Sequence, residues 1–381
     1  MSQAIEGHIL TPQGFVHGRL LHTQGRIEAI EGTPIPTERV LREADAIVLP
    51  GFVDCHVHGG DGHDIMQGGD AAAQVARCHA RHGTTALLAT TMTAPFAEIE
   101  AALRALSPHC VRRPSGGARV LGVHLEGPYI SPGKLGAQPA FAITLDLEQL
   151  QALSRLAPIR VLTLAPEVND HQSRIAELNR AGFIVQIGHS AGSYDDGVAA
   201  LEQGARGFTH LFNAMTGLHH REPGMVGAAL AHAQHAELIP DLLHLHPGAI
   251  RAALRAIPCA YCVTDSTSAA GMPDGEYQLG RYRVFKCLGG VRLADNTLAG
   301  SALTMDQALR NLVAIGLALD DAARRVSTYA ADYLGMTQIG RLQPGAAADV
   351  VVFDRDLRLR RVLIEGEEIE ISAASADTAR P

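Results

Sequence analysis

FIVQIGHSAGSYDDGVAALEQGARGFTHLF, residues 183–212, holds one complete strand–helix–strand unit. An apolar run, 183–190, is followed by SYDDGVAALEQGA, in which Ser193 suits a helix cap, Asp196 the first turn and Gly204 the stop. A second strand-like run, 207–212, follows. Each run carries a histidine near its end, His189 and His210, 21 residues apart, a plausible length for one such unit.

The same alternation extends outward in both directions. Strand-like stretches lie near 51–57, 84–90, 119–126, 159–167, 236–244 and 260–266, with helix-like segments between them. One is PGAIRAALRA, where Pro247 takes a favourable first-turn position. Eight strands alternating with helices predict an α/β fold, a (β/α)₈ TIM barrel. Past Asp265 comes a glycine-rich insertion, then helical stretches near 302–316 and 319–335. Residues 1–50 and the far C-terminus read instead as strands and hairpins. The expected domains are therefore a barrel over 51–344 and a small β-sandwich assembled from 1–50 and 345–381.

Bulk properties exclude several classes. The 381 residues are 46% hydrophobic and 19% charged, which suits a large buried core. A net charge of −8 gives no support for a nucleic-acid surface. An anionic substrate would need a local cationic pocket. No apolar run reaches membrane-spanning length, and the N-terminus lacks the pattern of a secretory signal, so a cytoplasmic protein with no membrane partner is expected. The six cysteines show no disulfide framework. Cys259 and Cys262 sit three apart in a strand-like run and point to opposite faces, which disfavours chelation by both.

In a barrel of this kind the active site lies at the C-terminal strand ends. There the first strand carries His56 and His58, the third Glu126, the fifth His189, the sixth His210 and the eighth Asp265. A lone H-x-H is weak, since 19 histidines give about one by chance and His244-Leu245-His246 is a second. Recurrence at five strand ends is the stronger signal. Imidazoles and carboxylates suit Zn²⁺, with Fe²⁺, Mn²⁺ or Co²⁺ possible. His189, His210 and Glu126 can hold one ion and leave a position for water. His56, His58 and Asp265 can support a second ion, with Glu126 bridging. A divalent ion makes hydroxide available at neutral pH, and Asp265 is the best-placed carboxylate to take the proton and return it to a leaving amine.

The segments PGFVDCHVHGG, GVHLEGPYISPGKLGA, QIGHS, GFTHLFNAM with HHREPGMVGA, and VTDS resemble the N-acetylglucosamine-6-phosphate deacetylase family of the amidohydrolase superfamily. LAGSALTMDQALRNLV and GRLQPGAAADVVVFD extend the resemblance over about residues 46 to 354. It implies removal of the acetyl group from a phosphorylated N-acetyl amino sugar in amino-sugar catabolism, with metal ligation by Glu126, His189 and His210 and an acid/base role for Asp265. It also implies substrate contacts at Ala137, Gln138, Asn213, Ala214, His244, Leu298, Ala299 and Gly300. Arg221 resembles the family residue that reaches the sugar phosphate of a neighbouring subunit, which implies at least a homodimer. Guanidinium suits that task through bidentate pairing.

One position departs from the family. Gln138 stands where a histidine is usual in the loop after HLEGP. Its amide can donate a hydrogen bond but carries no charge, so polarisation of the acetyl carbonyl and the preferred sugar epimer stay open. The resemblance leaves N-acetylgalactosamine 6-phosphate as the alternative substrate. Relatives that bridge two metals with a carbamylated lysine, such as dihydroorotases, fit poorly, because the only lysines are Lys134 and Lys286. A non-catalytic scaffold would require lost ligands, and none of the six is missing.

Overall fold

The computed structural model describes residues 2–371. The end of the expected C-terminal β segment, 372–381, lies outside the described residues.

All eight expected barrel strands form. They are Phe52–Val57, Thr84–Thr90, Arg119–Glu126, Ile159–Leu164, Ile184–Ile187, Gly207–Phe208, Glu237–Leu238 and Tyr261–Cys262. The first six make one parallel sheet in sequence order, and the last two pair with each other. Backbone hydrogen bonds span the gaps. Leu211 N–H donates to the Glu237 carbonyl at 2.8 Å, and Asp265 N–H to the His56 carbonyl at 2.9 Å. A helix follows every strand, from Ala71–Ala80 after the first to Met305–Ala314 after the eighth. This is a TIM-barrel-like α/β domain. The strands are mostly buried, Thr84–Thr90 completely, because helices cover one face and the barrel interior the other.

Strands four to eight are all shorter than the sequence suggests, because the chain leaves the ladder early to build the rim. Local signals otherwise held. Ser193 and Asp196 form a reciprocal capping box on Tyr194–Glu202, and Pro247 opens Pro247–Ala256. The expected helix over 319–335 is instead two, Leu319–Arg325 and Thr328–Tyr333. At the break the Val326 carbonyl accepts the Val53 N–H of the first strand, and the Ser327 hydroxyl donates back to the Ala323 carbonyl.

The glycine-rich insertion is a meander of four antiparallel strands, Gly275–Leu279, Tyr282–Cys287, Gly290–Arg292 and Leu298–Ser301. Its last strand is tied to the eighth barrel strand through Ser301 N–H to the Asp265 carbonyl, 2.7 Å. Gly300 turns there with φ +58°, and a Cβ at this position would lie 2.9 Å from that same carbonyl oxygen.

Both ends of the chain meet in one seven-stranded sheet. Its order is Glu367–Ile369, Leu359–Ile364, Val350–Phe353, Ile47–Pro50, Gln3–Thr11, Gly14–Thr23 and Arg26–Pro34. The sheet curls back on itself, since Ile27 N–H donates to the Ala346 carbonyl and Gly345 N–H to the Ile27 carbonyl. Ile5, Ile9, Leu20, Ile27, Val48 and Val350 fill its small core. The strands expected as a sandwich are thus joined edge to edge in a single ladder. No helix of the described residues is long and apolar enough to cross a membrane.

Candidate metal centre

Six side chains from five strand ends converge at one mouth of the barrel. Glu126, buried at the end of the third strand, stands at their centre. Its Oε1 lies 3.1 Å from His189 Nε2 and 2.9 Å from His210 Nε2. Its Oε2 lies 3.5 Å from His56 Nε2 and 3.2 Å from His58 Nε2. Asp265 Oδ1 faces the same two imidazoles at 3.4 and 3.2 Å. One carboxylate oxygen therefore serves each histidine pair.

The tautomers show what the cluster is suited to hold. His189 Nδ1 is 2.8 Å from the Lys134 carbonyl, which can only accept, so Nδ1 carries the hydrogen. His56 Nδ1 lies 3.0 Å from the buried Glu237 carboxylate and donates to it. In a neutral ring both Nε2 atoms then present lone pairs towards Glu126 and towards neighbouring Nε2 atoms 3.1 Å away. Lone pairs facing carboxylate oxygens repel unless a cation lies between them. The set fits a divalent metal ion, and two groups of three, Glu126 with His189 and His210, and Glu126 with His56 and His58, have ligand spacing.

Charge balance gives the same picture. Burial would raise the Glu126 pKa, but His56 and the hydrogen bonds from His189 and His210 outweigh it and hold the carboxyl well below its ordinary range. Burial opposes charge on His58, yet Asp265 and Glu126 push it up to about 9. Asp265 is lowered, burial notwithstanding, by His56 and His58. In the protein alone, protons on imidazoles supply the positive charge that an ion would bring.

His189, His210 and Asp265 adopt positive φ, +46°, +29° and +49°. Such backbone is uncommon outside glycine and costs about 1 kcal/mol or more per residue. Three strained residues on one rim, all ligand candidates, mark a place where geometry outranks local comfort.

A cavity of about 250 Å³ opens over the cluster. Of the residues expected at the substrate, Ala137, Gln138, Asn213, Ala214, His244, Leu298 and Gly300 line it, with His58, Glu126, His189, His210 and Asp265. His56 lies beneath the wall. Ala299 does not reach the cavity and is buried against the core of the meander. Arg221 stands outside it on an exposed segment, its Nη1 2.7 Å from His220 Nε2. Gln138 is buried, accepts the Thr93 N–H at 2.7 Å and donates to Glu126 Oε2 at 2.6 Å. The expected donor is thus directed at a candidate metal ligand.

Sequence reasoning missed several supporting groups. Glu237, in the seventh strand, binds His56 and also accepts the His210 N–H at 3.2 Å. Asp241 takes a hydrogen bond from His244 Nδ1 at 2.7 Å. Asp54, pushed up to about 7 by burial, receives the Thr264 hydroxyl at 2.6 Å and joins the first strand to the eighth. Met92, Gly136, Leu279 and Thr297 complete the cavity wall. Glu237 had no motif to betray it. The insertion's hairpin glycines were the only hint of Leu279 and Thr297.

An α/β barrel with carboxylates and imidazoles at metal-ligand spacing gathered at its C-terminal mouth defines a metal-dependent hydrolase of the barrel type. The chain belongs to the amidohydrolase family, whose model matches residues 47–369. It is 40% identical to an N-acetylgalactosamine-6-phosphate deacetylase of Escherichia coli O157:H7, covering 94% of this chain and 97% of that one. It is 37% identical to an N-acetylglucosamine-6-phosphate deacetylase of Lysinibacillus sphaericus, covering 91% and 88%. Among solved structures it matches a Mycobacterium smegmatis N-acetyl-D-glucosamine-6-phosphate deacetylase in complex with N-acetyl-D-glucosamine-6-phosphate. The TM-score is 0.89 and the identity 32%, over 98% of this chain and 99% of that one.

Proposed function

We propose that this protein hydrolyses the acetamide of N-acetyl-D-glucosamine 6-phosphate, giving glucosamine 6-phosphate and acetate. The observation that supports it is the division of Glu126 between two imidazole pairs beneath the cavity. Glu126, His189 and His210 would hold one ion, and His56, His58 and Asp265 would support a second, with Zn²⁺ the best match to the donors. When bound, such an ion supplies Lewis acidity and lowers the pKa of water towards about 7. Asp265, at the cavity wall, accepts the proton of the attacking water and passes it to the amine nitrogen, without which an amide leaves poorly. Gln138 holds Glu126 in place, and Asn213, Ala214, His244, Leu298 and Gly300 position the sugar.

Arg221 lies outside its own cavity, and in this reading it binds the substrate phosphate of a neighbouring subunit in a homodimer. The reaction is cytoplasmic, which six cysteines free of disulfides support. The terminal sheet forms the second domain, over 1–50 and 345–381, beside the barrel at 51–344.

The Escherichia coli relative favours a second reading, in which the substrate is N-acetylgalactosamine 6-phosphate. The two sugars differ in one hydroxyl configuration. Acetate release from each, compared as kcat/KM, decides between them. Release from neither overturns both.

A further inference from the structure

Two histidines face one another on the terminal sheet, outside the barrel. His8 on Gln3–Thr11 is the direct cross-strand partner of His17 on Gly14–Thr23, with ring centroids 5.1 Å apart. Directly opposed residues share a face of the sheet. On its other side the His8 N–H donates to the Ala46 carbonyl, which brings Glu43 and Asp45 over the same spot. His8 Nε2 lies 3.0 Å from Glu43 Oε2 and 3.9 Å from Asp45 Oδ2. His17 Nε2 lies 3.4 Å from Asp45 Oδ1. The His8 side chain is fully buried and its Nδ1 has no partner, so all its polar contact runs through Nε2.

We propose that His8, His17 and Asp45, with Glu43 beside them, form a divalent transition-metal site on the terminal sheet, independent of the barrel site. Ligand atoms about 2.0–2.2 Å from a tetrahedral ion lie roughly 3.4 Å apart, and the contacts here run from 3.0 to 3.9 Å. Two imidazoles and a carboxylate, with no thiolate, suit Zn²⁺, Ni²⁺ or Cu²⁺ rather than Mg²⁺ or Ca²⁺. His17 and Asp45 are half exposed, at 52% and 45%, so an ion has a path in and water can complete its shell. The site adjoins a groove of about 490 Å³ floored by Gly7, Gly18 and Gly32, one row across three strands. A Cβ on Gly18 would stand 1.9 Å from the Glu31 carbonyl oxygen, so side chains cannot fill this row. An ion here would clamp the first hairpin to the segment entering Ile47–Pro50, and so favour the folded sheet by mass action.

The test uses the full-length protein, its H17Q variant and its D45N variant, each dialysed against a series of buffered free Zn²⁺ concentrations. Zinc per chain is read by elemental analysis, and the thermal midpoint is read on the same samples. The expected result is that the parent takes up about one more zinc than either variant, at free zinc above the level that fills the barrel. Its thermal midpoint should also rise further with zinc than theirs. Both substitutions fall at half-exposed positions, and the tightly held zinc common to all three proteins verifies an intact barrel. Equal zinc in all three at every concentration overturns the proposal. So does a loss in the variants confined to the tightly held zinc.

Discussion

Gln138 donates its side-chain amide to Glu126 Oε2 at 2.6 Å while its own carbonyl takes the Thr93 N–H at 2.7 Å. A neutral side chain from the loop thereby fixes the carboxylate that both histidine pairs share. Removing a buried hydrogen bond to a charged group costs about 2 kcal/mol, roughly thirty-fold in an equilibrium or rate constant. Gln138→Ala is expected to lower kcat/KM for the phosphosugar by about that factor. Gln138→His, which keeps a donor, should recover part of it. Steady-state kinetics of the two variants check this, and an Ala variant as active as the parent contradicts it.

Glu237 holds the His56 ring by its Nδ1–H and presents Nε2 to the centre. Loss of such a supporting carboxylate typically weakens metal binding by about 10–100-fold. Glu237→Gln should therefore lower metal content after dialysis, with the deficit confined to the His56 and His58 position. Elemental analysis at limiting zinc measures it, and unchanged stoichiometry counts against the orienting role.

Asp265→Asn preserves the shape of the residue and removes its basicity. Turnover should fall by about 10²–10⁴-fold, while the folded state and the ion held by Glu126, His189 and His210 persist. Substantial acetate release from this variant would reject the proton-transfer role.

Arg221→Ala should raise KM for the phosphorylated sugar and leave the slow reaction of unphosphorylated N-acetylglucosamine nearly unchanged. Equal losses on both sugars would show that Arg221 acts on something other than phosphate.

His79 supplies a pH dependence of stability that is separate from the chemistry. Burial lowers its pKa to about 4, although its Nε2–H donates to the Gly59 carbonyl at 3.0 Å. The unfolded chain takes up a proton near 6.5 and the folded chain does not, so protons favour unfolding. The contribution is fully present above about pH 6.5 and declines as pH falls towards 4, by up to about 3 kcal/mol. Thermal midpoints between pH 7 and 4 should drop more steeply in the parent than in His79→Gln. Parallel curves would contradict this.

The barrel was legible because each strand is a short apolar run and each candidate ligand sits where a run stops. His189, His210 and Asp265 could be picked out by that position alone, before their positive φ values were known. Glu237 was hidden by the same logic, since it lies inside the apolar segment AELIPDLLH and its partner His56 is 181 residues away. At Ala299 the side chain departs from its two neighbours, because adjacent residues on an extended segment point to opposite sides. Leu298 and Gly300 reach the cavity, whereas Ala299 packs inward. The terminal strands were visible, but not the bonds from 345–348 to Gly25 and Ile27 that curl their sheet, because turn signals do not specify long-range pairing.

Acetate released from N-acetyl-D-glucosamine 6-phosphate should be followed in one sample as purified, after chelation, and after Zn²⁺ is returned. Release that disappears with the ion and comes back with it is the expected outcome. Release at the same rate without any divalent ion, or none in the zinc-loaded protein, would contradict hydrolysis by a metal held at Glu126, His189 and His210.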